Sequence, residues 1–149
     1  MKVLSLFDGI SCGMLALQRA GIPVECYDAF EIDKYAVKVS KRNFPVIVHH
    51  GNVYDGDFTQ FKGYDLLLGG SPCTYWSIAK KDREVDCNGE GFRLFKEYVR
   101  ALEESGCKYF LYENNYSVHQ RIKDEISKAL GVEPIMINSA LVSAQNRKR

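Results

Sequence analysis

One feature constrains the fold of this chain more than any other: short, continuous apolar runs alternate with segments whose apolar residues recur at helical spacing. Val3–Phe7 is the first run, and it ends in Asp8-Gly9. Leu15–Ala20 carries a helical pattern that Gly21 stops, Glu25–Ile32 is strand-like, and Asp33 is placed to cap a helix reaching about Phe44. Val46–His50 and Asp65–Leu68 read as strands. Phe92–Glu104 is amphipathic, with Phe92, Phe95, Val99 and Leu102 on one face. Tyr109–Tyr112 reads as a buried strand, Ile122–Leu130 as a helix and Pro134–Val142 as a final strand. Runs that are apolar throughout belong in a sheet covered on both faces, and strand–helix repetition makes such a sheet mostly parallel. The expected fold class is α/β, a mostly parallel sheet with helices on both faces. Such sheets bind ligands at the carboxyl ends of their strands, beside the point where strand order reverses. That places four segments on one rim: Asp8–Gly13, Glu31–Asp33, Gly69–Ser77 and Glu113–Asn115.

Composition narrows the class further. The chain has 149 residues, a single-domain length, with 46% hydrophobic and 26% charged residues and a net charge of +1. So even a balance does not demand a nucleic-acid partner, and it leaves room for a local basic groove. The five cysteines (Cys12, Cys26, Cys73, Cys87 and Cys107) include no CxxC pair, which argues against a zinc site or a disulfide framework. No secretory signal and no membrane-spanning run is present, so a reducing cytoplasm is the expected location and no metal is expected.

Four stretches carry chemistry. In "FDGISCG", Gly9 and Gly13 would let a ligand approach the backbone, and the free amides that open the helix near Cys12 favour an anionic group. Glu31 ends the second strand, where an acid either accepts from ribose hydroxyls or complements a helix start. In "GGSPCTYWS", a thiol follows proline at the mouth of a strand, which raises the question of whether Cys73 reacts. In "YENNY", Glu113 leaves a buried strand. Desolvation there raises a carboxyl pKa and makes it a donor near neutral pH, unless a cation pairs with it. In "QNRKR", Arg147 and Arg149 point the same way from an extended chain, as guanidinium forks for a carbonyl or phosphate oxygen or as a solvated tail. A thiol hydrolase would need a histidine base, and His49, His50 and His119 are not placed to serve Cys73.

Taken in order, these motifs resemble the DNA (cytosine-5)-methyltransferase family. "LFDGISCGMLALQRAG" is similar to its first cofactor motif, "FEIDKYAVKVSKRNFP" to the second and "GNVYD" to the third. "GGSPCTYWSIA" resembles the Pro-Cys nucleophile motif, "ENN" the Glu-Asn-Val motif and "QNRKR" the Gln-x-Arg-x-Arg motif. The resemblance implies a Rossmann-like S-adenosylmethionine-dependent methyltransferase fold, and methyl transfer from S-adenosylmethionine to carbon-5 of a flipped-out cytosine in DNA through a covalent Cys73 adduct. Glu113, Arg147 and Arg149 would assist at the base. Phe7, Asp8, Gly9, Ile10, Ser11 and Gly13 would surround the methionine part of the cofactor and Glu31 its ribose. Ile32, Asn52 and Val53 would meet the adenine, and Pro72 would border the methyl donor. The polar stretch Ile78–Gly91, with Lys80, Lys81 and Arg83, would be a mobile loop closing over the base, or simply a solvated loop.

Three positions depart from the family pattern: Asn52 stands for Asp, Thr74 for Gln and Asn115 for Val. The family also continues past its Arg-x-Arg motif into a reversed strand and a target-recognition region. Residues 1–149 are thus expected to form a truncated catalytic domain without that region. Such a chain is a fragment, or one half of a split enzyme of the restriction-modification type whose second chain supplies recognition. The alternatives are a silent cofactor-binding scaffold for another methyltransferase, or a tRNA cytosine-5 methyltransferase.

Overall fold

The computed structural model describes the whole chain, Met1–Arg149. It forms two compact units, Met1–Gly70 with Arg100–Tyr112 and Ser71–Val99 with Glu113–Arg149.

The first unit is built on five strands: β1 (Lys2–Leu6), β2 (Cys26–Phe30), β3 (Val48–His49), β4 (Leu66–Gly69) and β5 (Tyr109–Tyr112). All pairings are parallel and the spatial order is β3-β2-β1-β4-β5, so chain order reverses between β1 and β4. Central β1 is buried from Val3 to Leu6, which is why its sequence is a continuous run rather than an alternation. On one face, Val3, Tyr27 and Ala29 pack with Met14 and Leu17 of helix α1 (Cys12–Arg19) and with Ile47. On the other, Phe30 meets the rings of Phe58 and Phe61 at 5.1 and 6.0 Å. This face is also covered by the end of helix α3 (Glu90–Ser105): Arg100 lies 4.5 Å over the Phe58 ring, and Glu104 accepts from the Phe58 amide at 3.2 Å. Both faces therefore carry helix. Helix α2 (Lys34–Asn43) begins where expected, with the Asp33 carboxylate accepting from the amides of Tyr35 and Ala36.

The second unit packs Trp76, Phe92, Phe95, Tyr98, Val118 and Ile122 out of water. Its helix α4 (Gln120–Leu130) ends at Gly131, whose φ of 68° needs the left-handed conformation that glycine adopts without strain. Packing is tight at Gly91, where a Cβ would lie 2.7 Å from Trp76 Nε1 and 2.8 Å from a Glu84 carboxylate oxygen. Gly91→Ala is expected to cost about 1–3 kcal/mol through overpacking. A urea midpoint identical to the parent's would refute this.

The expected last strand, Pro134–Val142, does not form. Asn138 makes an isolated antiparallel bridge with Lys148, flanked by reciprocal backbone bonds of 2.8 Å between Ile137 and Arg149, and Ser139–Leu141 is a 3₁₀ turn. An apolar run becomes a sheet strand only where a neighbouring strand offers its backbone groups. Here those groups pair with the Arg147–Arg149 segment instead, leaving Ile135, Ile137, Leu141 and Val142 exposed.

Candidate active site

In the first unit, β1 ends in a turn held from beneath. Phe7 and Ser11 take left-handed conformations with φ of 57° and 65°, which cost energy for residues with a Cβ. The offset comes from Asp8. Its carboxylate accepts from Ser5 Oγ at 2.6 Å, from Tyr27 OH at 2.7 Å and from Ser11 Oγ. Ser11 is wholly buried and lies 2.5 Å from Ser40 Oγ, which in turn meets His49 Nε2 at 3.1 Å. Burial raises the pKa of Tyr27, with the Asp8 charge adding to the effect, so the phenol stays a donor. Burial likewise lowers that of His49, so the imidazole stays neutral. Ser5, Tyr27, Ser40 and His49 were not legible as part of this network. They come from four separate segments, and no spacing rule links them.

Asp8 and Ser11 therefore shape the turn rather than line its open side. Gly13 is also used internally, since a Cβ there would fall 2.8 Å from both Leu68 Cδ1 and Tyr27 OH. Gly9, with φ of 59° and open space around it, faces outward together with half-exposed Ile10. The Glu31 carboxylate accepts from the amides of Gly9 and Asp33, both at 2.8 Å. It thus ties the β1 turn to the start of α2, with further lone pairs available to hydroxyl donors. Ile32 is 75% exposed, a large apolar side chain beside this carboxylate in sequence. Asn52 caps a 3₁₀ turn, Val53–Asp55, by accepting from the Tyr54 amide at 3.1 Å, which leaves its side-chain NH₂ and a second lone pair on the oxygen for a ligand. Arg100 fixes this turn by donating to the carbonyls of Val53 and Gly56 at 3.0 and 2.9 Å.

In the second unit, a cavity of about 420 Å³ brings Cys73 together with Asn115, Tyr116, Ser117, Arg147 and Arg149. Cys73 opens a single 3₁₀ turn, Cys73–Tyr75, directly after Pro72. Asn114 Nδ2 donates to the Ser71 carbonyl at 3.0 Å, which joins the Glu113 segment to the residues before the thiol. Glu113 pairs with Arg149, Oε1 to Nε at 2.7 Å. Partial desolvation raises the Glu113 pKa and the Arg147 charge opposes the rise, while about half of the side chain (53%) stays open to solvent, so the carboxyl is paired and only partly desolvated. The QNRKR segment is not a free tail, because it carries the pairing with Ile137 and the contact with Glu113. Asn115, polar where an apolar residue was expected, is satisfied locally by Ser117 Oγ at 2.7 Å and by its own amide donating to Asn114 Oδ1 at 2.8 Å. Tyr116 is flanked by Lys123 and Lys148, 4.3 and 5.9 Å from the ring centre. Ser77, Asn115, Tyr116 and Ser117 join the cavity without any signal in the sequence beyond adjacency to Cys73 and Glu113. A smaller cavity, about 280 Å³ beside Asp124, Gly131 and Glu133, gathers no nucleophile.

Comparison with known proteins gives a consistent result. Residues 1–133 match the family described as C-5 cytosine-specific DNA methylase. The orphan methyltransferase M.SPRI of Bacillus phage SPR is 39% identical over 118 residues, which are 76% of this chain and 26% of that protein. The type II methyltransferase M.HgiCII of Herpetosiphon aurantiacus is 34% identical over 116 residues, 76% of this chain and 25% of that protein. The match therefore spans about a quarter of these relatives' length. The crystal structure of S. pombe Dnmt2 methyltransferase superposes with a TM-score of 0.73 at 19% identity, covering 99% of this chain and 48% of that one. The fold is the Rossmann-like one of S-adenosylmethionine-dependent methyltransferases.

Proposed function

We propose that this chain, a member of the C-5 cytosine-specific DNA methylase family, carries the cofactor-holding and base-activating parts of a DNA (cytosine-5)-methyltransferase. The observation that carries this reading is the cavity that gathers Cys73, Arg147 and Arg149, with Glu113 paired to Arg149 at its edge. A space of that volume is suited to a single extruded base. Cys73 Sγ, as thiolate, adds to carbon-6 of the cytosine ring. The ring electrons displaced by the new S–C bond make carbon-5 nucleophilic and load negative charge toward ring nitrogen 3 and the carbonyl oxygen. Glu113 supplies a proton or hydrogen bond at nitrogen 3, and Arg149 and Arg147 direct donors at the oxygen. Once carbon-5 bears the methyl group, loss of its proton to water restores the ring and expels the Cys73 thiolate.

S-adenosylmethionine, the methyl donor, supplies an electrophilic methyl group on a sulfonium. The first unit fits it in donor set and shape: backbone is open at Gly9, a carboxylate at Glu31 has room for hydroxyl donors, and Ile32 offers an apolar face. Gly9 and Ile10, on the open side of the turn that Phe7, Asp8 and Ser11 shape, would hold the amino-acid end, Glu31 the ribose, Ile32 one face of the adenine, and Asn52 and Val53 its edge. Ile32→Ala is expected to weaken S-adenosylmethionine binding by about 1–2 kcal/mol, roughly 5–30-fold in Kd, with no loss of stability because the side chain is already exposed. Calorimetric titration measures the first and urea unfolding the second. A Kd equal to the parent's would remove Ile32 from the site.

Target selection is proposed to come from residues outside this chain, in the same polypeptide or a second one. The exposed apolar set Ile135, Ile137, Leu141 and Val142 supports an interaction surface. All five cysteines are free thiols, which supports work in a reducing compartment such as the cytoplasm. No helix is long and apolar enough to cross a membrane. The reading is tested by covalent trapping with S-adenosylmethionine and 5-fluorocytosine placed in DNA and, in parallel, in RNA. An adduct with DNA alone supports it. An adduct with RNA alone would move the substrate to tRNA, and binding of the cofactor with no adduct, even with candidate second chains added, would leave a scaffold.

A further inference from the structure

We propose that Glu84 is a positioning residue for the Cys73 turn, acting through a clasp of Trp76, Glu84 and Gly91. The proposal rests on the reading of Cys73 as nucleophile and deepens it. The 3₁₀ turn Cys73–Tyr75 is closed by a single bond, the Trp76 amide donating to the Cys73 carbonyl at 3.1 Å, and three residues cannot aim a thiol unaided. The polar segment beyond this turn is anchored at several points. Trp76 is wholly buried, and its indole Nε1 donates to Glu84 Oε2 at 3.1 Å. The Glu84 amide donates back to the Tyr75 carbonyl at 2.9 Å. The same residue's carboxylate accepts from the Gly91 amide, at 3.3 Å to Oε1 and 3.1 Å to Oε2. That amide lies in the first turn of α3, where backbone donors lack helical partners and a negative charge is favoured. Glu84 thus joins both the backbone and the side chain just past the nucleophile to the start of a helix.

Glycines make room for this arrangement. A Cβ at Gly89 would sit 2.0 Å from Glu84 Cδ, and one at Gly91 would meet both Trp76 and Glu84. The expected mobile loop Ile78–Gly91 is therefore clamped in its second half. Ile78–Asp82, with exposed Lys80 and Lys81, is the part outside the clasp, and Arg83 donates to the Ser117 carbonyl at 3.0 Å beside the cavity. A purely structural Glu84 would change stability when altered. A positioning Glu84 changes how Cys73 is presented.

The test uses the full chain with Glu84→Gln, which keeps the shape and one acceptor, and Glu84→Ala, which keeps neither. Trp76 is the single tryptophan, so acrylamide quenching of its fluorescence reports the clasp directly. Iodoacetamide labelling, read by peptide mass, gives the reactivity of Cys73 relative to exposed Cys12 of the first unit. Opening the clasp in Glu84→Ala is expected to make Trp76 quenchable and to change the Cys73-to-Cys12 labelling ratio about tenfold, with Glu84→Gln between it and the parent. The rate of adduct formation with 5-fluorocytosine DNA should fall about 10²-fold in Glu84→Ala while S-adenosylmethionine affinity holds, which shows that the first unit is folded, and a retained urea transition shows the same of the second. A labelling ratio unchanged in both variants overturns the proposal, whatever Trp76 does. If the parent forms no adduct even with candidate second chains added, the nucleophile reading falls, and the labelling ratio still decides whether Glu84 positions the turn.

Discussion

Cys73→Ser is expected to abolish the denaturant-stable adduct between this chain and DNA carrying 5-fluorocytosine. Fluorine at carbon-5 cannot leave as a proton does, so a ring that has gained a methyl group and a Cys73 bond stays attached to the protein. Serine keeps the size of the side chain, but its hydroxyl is a far weaker nucleophile than a thiolate at neutral pH, and no histidine lines the cavity to take its proton. Intact mass spectrometry of the denatured protein measures the result. The other four cysteines serve as an internal control, because Cys12 is exposed and would carry any nonspecific adduct. An adduct of equal yield in Cys73→Ser would mean that another group reacts and that the cavity has been misread. Thermal stability should be unchanged to within about 0.5 kcal/mol, since Cys73 is only partly buried and serine is close to it in size.

Glu113→Ala should lower the rate of adduct formation roughly 10²–10⁴-fold, the range over which a positioned acid contributes to a proton-coupled step. Glu113→Gln should recover part of this, because its amide still donates a hydrogen bond without being able to transfer a proton. The pH dependence comes from the environment of the carboxyl. Partial desolvation raises its pKa above the ordinary value, the Arg147 charge pulls the other way, and the carboxyl is paired with Arg149 at 2.7 Å. The form that donates is the protonated one, so activity owed to Glu113 is lost as pH rises through the raised pKa. Arg147→Ala removes the opposing charge and should move that alkaline limb to higher pH, even as it lowers the maximal rate by removing a donor at the oxygen. Rates measured from about pH 5 to pH 9 in the parent and in Arg147→Ala settle the sign. Arg149 stays paired with Glu113 in that variant, so the shift is partial, and a limb that moves to lower pH would show that Glu113 is not the group titrating.

Much of the fold was legible because its signals are local. β1 and β4 are apolar at consecutive positions, Asp33 caps α2 through its own side chain, and Gly21 stops a helix where the chain needs positive φ. Those properties belong to a few neighbouring residues and survive any arrangement of the rest. β5, expected to be buried, forms instead at the sheet edge with Tyr109 and Leu111 exposed. The Pro134–Val142 run shows where local reading fails. Its composition is strand-like, yet a strand needs a second backbone, and composition does not say which one will be offered. The site divides the same way. Cys73, Glu113 and the two arginines were singled out because their motifs resemble the family's, while the Asp8 network with Ser5, Tyr27, Ser40 and His49 was not legible. That network is a set of side-chain distances across four segments.

The sequence by itself determined the motifs that resemble the family's and the order of strands and helices along the chain as far as α4. Only the tertiary structure decided that the Ser11 side chain packs inside the turn and that a Cβ at Gly13 would meet Leu68 and Tyr27, that Glu113 pairs with Arg149, and that Trp76 and Glu84 clamp a segment that reads as free. The reason is physical. Propensity, capping and apolar periodicity act over one or two turns of chain, whereas a hydrogen bond between distant residues exists only after packing has brought them within about 3 Å of each other.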